Sequence, residues 1–114
     1  MSGLGSFEEL EADEPYPGVT RRAFDSEGAT VTEYRFEPGA SFPIHKHLQE
    51  QITLIAAGDV EMTIAGRVAQ LATGGWAVVR SSVEHGISAG AGGARVIAIV
   101  VPRRSGAGAY TVVE

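Results

Sequence analysis

An all-β fold is predicted by three features of the sequence. Val, Ile and Thr together number 26 against five Leu, and β-branched side chains suit the pleated, half-buried surface of a sheet. Fifteen glycines and five prolines are spread along the chain, as tight turns between short strands require. Apart from a weak pattern at Phe7 to Leu10, no segment repeats its apolar residues at the 3.6-residue period of a helix. The 114 residues fit a single domain, large enough to bury roughly two-thirds of its unfolded surface around one core.

Each strand can be justified in turn. Residues 19–24 follow the turn Pro15-Tyr16-Pro17-Gly18. Residues 30–36 alternate, with Thr32, Tyr34 and Phe36 on one face and Val31, Glu33 and Arg35 on the other, until Glu37-Pro38-Gly39 ends them. Residues 41–47 and 50–57 come next, closed by a turn at Gly58-Asp59. Val60, Met62 and Ile64 then alternate with Glu61 and Thr63, the pattern of a half-buried strand. Turns at Ala65-Gly66 and Gly74-Gly75 separate that strand from residues 67–71 and 76–80. Residues 85–89 form a short strand, and residues 90–93 read as a flexible hairpin tip. Residues 94–101 lack alternation beyond Arg95 and are expected to be buried on both faces, in the core or at a dimer seam. Strands at spacings of roughly eight to twelve residues imply a sandwich, jelly roll or barrel. Tyr34, Phe36, Met62 and Trp76 are candidates for its apolar interior.

Charge narrows the function classes. The net charge is −5, and five acids (Glu8, Glu9, Glu11, Asp13, Glu14) lie in the first fourteen residues, which hold no base. Setting them aside leaves nine acids against nine bases, so the body is neutral. That argues against phosphate-driven nucleic-acid binding. Residues 1–14 are expected as an acidic, flexible lead-in, and residues 15–114 as the barrel domain. There are no cysteines, which excludes disulfides, thiolate metal sites and cysteine nucleophiles. The start of the chain lacks the basic and long apolar regions of a signal peptide. Its longest apolar run, residues 96–101, falls far short of the ~20 residues of a membrane helix. A soluble, cytoplasmic protein is expected.

The chemistry sits in the histidines. Of three, His45 and His47 are separated by one residue, which on a strand puts both imidazoles on one face, able to chelate one ion. Around them the spacing resembles the first motif of the cupin superfamily, G-x5-H-x-H-x3,4-E-x6-G. Gly39, His45, His47 and Gly58 all fall in register, and Gln51 stands where the usual glutamate would be. The second motif, G-x5-P-x-G-x2-H-x3-N, is met by Gly74 and His85, while Arg80 replaces the proline, Ser82 the glycine and Ala89 the asparagine. The resemblance runs over about residues 18 to 104 and implies a double-stranded β-helix, or jelly-roll barrel. It also implies a metal held by His45, His47, Gln51 and His85.

Geometry agrees. Gln51 comes off the strand after His47, His85 can lie opposite, and strand parity turns the rival ligand Glu50 away. Four such ligands leave coordination positions open, as in a working site. Three imidazoles and an amide leave a divalent ion its full charge, which favours Zn²⁺, Mn²⁺, Ni²⁺ or Fe²⁺ as a Lewis acid over ferric chemistry.

Within the superfamily, the run His45 to Gln51, the stretch Gly18-Val19-x-Arg21-Arg22 and the pair Pro102-Arg103 look like the small cupins of pectin and uronate degradation. That resemblance implies that Arg103 faces a substrate carboxylate. The family's aspartate and phenylalanine, six and four residues earlier, are Ile97 and Ile99 here. Arg80, near the barrel mouth, is a second candidate for an anionic substrate. Glu33, Glu50 and Glu61 are expected on outward faces, so no general base is visible.

Three functions stay open. The first is a metal-dependent lyase, isomerase or cyclase acting on a small carbonyl or sugar-derived compound. The second is a metal-dependent dioxygenase, and the third a non-catalytic module binding a small molecule in the lumen. A homodimer is the expected assembly.

Overall fold

Runs of β-branched residues broken by glycines give nine strands among the described residues, 2–104 and 111–113, of this computed structural model. They are β1 (Asp13–Tyr16), β2 (Val19–Asp25), β3 (Thr30–Phe36), β4 (Ser41–Lys46), β5 (Glu50–Ile64), β6 (Arg67–Ala72), β7 (Trp76–Val79), β8 (His85–Val101) and β9 (Thr111–Val112). All pairings between them are antiparallel. A 3-10 turn at Phe7–Glu9 occupies the one segment with a helical pattern. No helix among these residues is long and apolar enough to cross a membrane.

The strand order is β1-β2-β3-β8-β4-β9, with β5 pairing β6, β7 and β8. The second half of β8 lies between β3 and the first half of β5, and its first half between β4 and the second half of β5. The sheet therefore folds over on itself along β5 and β8 into a single jelly-roll domain, a double-stranded β-helix.

Two expected turns are not turns. Gly58-Asp59 lies inside β5, and residues 90–93 lie inside β8 rather than at a hairpin tip. The ladder jumps there, from Gly58↔Ala94 to Val60↔Ala89. Glycine marks bulges as well as turns, and both relieve the same backbone constraint. Gly58 has a φ of 84°, and a Cβ on it would stand 2.2 Å from the Gly93 carbonyl oxygen. Only bare backbone can cross there.

Residues 94–101 are not buried on both faces either. Val96, Ala98 and Val100 point into the core, whereas Ile97 and Ile99 are half-buried and Val101 is exposed. The alternation was hidden because both faces are apolar. The core also takes Val19, Tyr34, Phe36, Phe42, Ile55 and Val60. Phe42 packs edge-on against Tyr16 and Tyr34, with ring centroids at 4.8 and 5.7 Å.

The outer face divides in two. Across β2 and β3, Phe7 packs on Phe24 at 5.8 Å, and Glu8 pairs with Arg35 at 2.6 Å. Glu33 faces outward as expected, yet is 1 % exposed because Arg22, Arg35 and Arg95 roof it over. Burial works against its charge, but hydrogen bonds from Arg95 and Arg35 outweigh that and hold its carboxyl below the usual glutamate range. Across β5, β7 and β8 the face is apolar and open. Trp76, expected inside, is 67 % exposed there beside Leu54.

Candidate metal centre

Strand pairing brings the three histidines together. His45 near the end of β4 is paired with His85 at the start of β8, and their rings are 4.1 Å apart. His47 follows β4, with its ring 5.7 Å from that of His45 and 4.9 Å from that of His85. Parity alone would separate Phe42 from His45, which are three residues apart, but a register shift between them turns both inward. Gly86 allows that irregular stretch to approach, since a Cβ there would meet the Ile44 backbone nitrogen at 3.1 Å. Ser82, standing at the motif's glycine, keeps a left-handed φ of 64°, and its N–H donates to the His47 carbonyl at 2.8 Å.

The hydrogen bonds assign the tautomers. His45 Nδ1 faces the Pro43 carbonyl at 2.8 Å, His47 Nδ1 that of Gln49 at 3.0 Å, and His85 Nδ1 that of Val83 at 2.9 Å. A carbonyl only accepts, so each Nδ1 carries the hydrogen and each Nε2 the lone pair. One ring nitrogen from each histidine lies within 4.8 Å of the others. His85 Nε2 is buried with no hydrogen-bond partner among the described residues. Burial above all drives the histidines toward the neutral form, taking His45 to a pKa of about 3 and His85 to about 4, and lowering His47 as well. The His85 ring adds to the effect on His45, and the Arg104 charge lowers all three.

Gln51, buried on β5, points its Oε1 at His47 Nε2 at 3.0 Å, while its Nε2 donates to Thr53 Oγ1 at 3.0 Å. Two acceptors face each other with no hydrogen between them, an arrangement that calls for a cation. The donor set fits a borderline divalent metal. Three oriented neutral imidazoles and one carbonyl oxygen are ligands of the type such ions take.

The other expected residues lie elsewhere. Glu50 is exposed, as parity requires, and so are Arg80 and Arg103. It is Arg104 whose charge reaches the histidines, and its Nε is buried with no hydrogen-bond partner among the described residues. Val96, Ala98 and Val100 face the interior, whereas Ile97 and Ile99, the two positions compared with the uronate cupins, lie on the outer face. Thr53 was overlooked, although the i+2 rule from Gln51 identifies it, whereas Arg104 lies beyond the end of β8, where strand parity no longer applies. The cavity beside the histidines has a volume of about 20 Å³, room for roughly one water, and is lined by Tyr34, Phe42, Met62 and Val96 among others. No carboxylate among the described residues lines it.

No curated protein sequence matches the chain. Solved structures do. An RmlC-like cupin from Shewanella frigidimarina superposes with a TM-score of 0.84 at 21 % identity, covering 92 % of this chain and 95 % of its own. KdgF from a Halomonas species gives 0.79 at 26 % identity, covering 90 % and 97 %. Oxalate decarboxylase from Bacillus subtilis gives 0.87 at 20 % identity over 96 % of this chain, which spans 32 % of that protein. Residues 32–102, more than half of the chain, match the family described as the Cupin domain, and with β4 to β8, the bulges and the histidine cluster all falling inside that match, the chain belongs to the cupin family.

Proposed function

We propose that this cupin holds one divalent ion on His45, His47, Gln51 and His85 and works as a lyase, isomerase or cyclase on a small anionic carbonyl compound. The carrying observation is that one ring nitrogen from each of three buried histidines lies within 4.8 Å of the others, with the Gln51 oxygen facing His47 Nε2. A divalent ion bound there supplies Lewis-acid polarisation of a carbonyl or a water. The chain's own residues do the rest. The main-chain carbonyls of Pro43, Gln49 and Val83 fix the imidazoles, so no reorganisation is needed when charge develops. Arg104 brings a positive charge to the same end of the barrel, suited to an anionic group of the substrate. Tyr34, Phe42, Met62 and Val96 leave room only for the reacting atoms, and the bulk of the substrate stays at the mouth.

A lining without Asp or Glu favours one second reading, a module that binds without catalysis. Metal content tests the first step of both. Protein purified without a histidine tag or chelator is expected to carry about one equivalent of divalent metal, lost in His47→Ala. A protein that also refuses added Zn²⁺, Mn²⁺, Ni²⁺ and Fe²⁺ removes the proposal. Oxygen consumption with Fe²⁺ and none with Zn²⁺ would instead establish a dioxygenase.

The open outer face supports pairing with a second copy. Register places Trp76 beside Leu54, Leu54 beside Ile97, Val78 beside Ile52 and Ile52 beside Ile99. An uncharged patch of this kind marks an interaction site more than a scatter of exposed residues does. Glu50 borders it at one end of the strands and Arg95 at the other. A two-fold axis lying across the strands would set each Glu50 against the partner's Arg95 end. Light scattering should show a dimer, and Trp76→Lys with Val78→Lys should weaken it at least ~100-fold. A monomer at high concentration would count against pairing through this face.

A further inference from the structure

The Gln51 amide has a partner at each end, and the two partners differ in kind. At one end stands His47 Nε2, an acceptor while its Nδ1 donates to the Gln49 carbonyl. At the other stands Thr53, 1 % exposed, whose hydroxyl can accept or donate. With the oxygen toward His47, as in this structure, the amide nitrogen donates to Thr53 and two lone pairs face each other. That orientation suits a cation. With the amide turned over, Nε2–H donates to His47 Nε2 and the Thr53 hydroxyl donates to Oε1, so His47, Gln51 and Thr53 are paired with one another without a cation.

We propose that Thr53 is a positioning residue that holds the Gln51 oxygen toward the metal and lets the amide turn over when the metal leaves. The inference rests on the metal reading above. It also gives the amide at position 51 a physical role. A glutamate carboxylate offers an acceptor at both ends, so an empty site would set two acceptors against each other until His47 took up a proton. The Gln51–Thr53 pair removes that conflict with a rotation about one bond. Thr53 is two residues from Gln51 on the same strand, so both face the barrel interior with no help from loops.

NMR of the full chain, without metal and with Zn²⁺, reads the orientation directly. The metal-free protein should show a nitrogen–nitrogen coupling across the Gln51 Nε2–H···Nε2 His47 hydrogen bond, and Zn²⁺ should abolish it. Thr53→Val, nearly the same shape, leaves a buried amide N–H unpaired in the metal-bound orientation but only a carbonyl oxygen in the turned-over one, so it should lower Zn²⁺ affinity by roughly threefold or more, while Thr53→Ser restores it. In a Gln51→Glu background the same substitution should cost less, because a carboxylate presents an oxygen either way round. A merely structural Thr53 would cost the same in both backgrounds. The inference fails if wild type binds Zn²⁺ and Thr53→Val binds it equally well, or if the metal-free protein lacks the coupling. A wild type that takes no Zn²⁺ at all overturns the metal reading itself, and the two failures are separable by that one titration.

Discussion

Below about pH 6.5, the metal-free protein should lose roughly 2 kcal/mol of stability for each further pH unit. The unfolded chain protonates its histidines near their ordinary value of 6.5, whereas folded His45 and His85 do so only at about 3 and about 4. Their folded pKa values are depressed, so the unfolded state binds more protons as the pH falls. Stability is fully present above 6.5 and declines until the folded histidines titrate. His45 and His85 together can supply up to about 2.7 kcal/mol per unit, His47 adds to it, and their proximity and partial hydration bring the figure down. Glu33 and Asp13 also have lowered values, but their loss begins only below their ordinary 4.5 and 3.8, so the windows separate. Urea unfolding of chelator-treated protein between about pH 7.5 and 4.5 measures the slope. His85→Gln should reduce it by about a third to a half. A flat profile over that window would show that the histidines are not held neutral by burial.

Gly58→Ala should be the most damaging single methyl in the domain, at a cost on the order of 3–5 kcal/mol. The added Cβ meets the Gly93 carbonyl oxygen at 2.2 Å and Ala94 Cα at 2.9 Å, both backbone atoms that cannot rotate away. The left-handed φ of 84° adds a conformational penalty. Gly39→Ala is the matched control: its φ is 74°, but nothing lies within 4 Å of the new atom. That variant should lose about 1 kcal/mol, the conformational part alone. Denaturant melts of the pair would decide. Equal losses would mean that β5 and β8 part freely at their crossing, contrary to the packing seen.

The site was more legible in the sequence than the strand boundaries. His45, His47 and Gln51 lie close together along the chain, and period-2 parity put them on one face. Even the turning away of Glu50 followed from that rule. The elements failed where glycine carried two meanings. At Gly58 and at residues 90–93 it permits backbone to cross backbone, and local sequence cannot tell this from chain reversal. The burial of Glu33 was illegible for another reason: Arg95, which covers it, is 62 residues away, and only the β3–β8 register makes them neighbours. Arg104 was hidden by its twin. Both arginines follow the end of β8 at Val101, so strand parity does not choose between them.

The placement of β8 has a consequence for how the domain is made. Strands β3, β4 and β5 all pair with it, so three earlier segments wait for residues 85–101. During synthesis the first 84 residues can close only β1–β2, β2–β3 and the hairpins of β5 with β6 and β7. His85 would therefore reach His45 and His47 in the same late zipping that completes the core. Folding should be slow for the chain's size, with one dominant barrier crossed by pairing distant in sequence. The two-histidine half of the site would exist on the nascent chain as an open, low-affinity chelate, and an ion captured there would be sealed in as β8 docks.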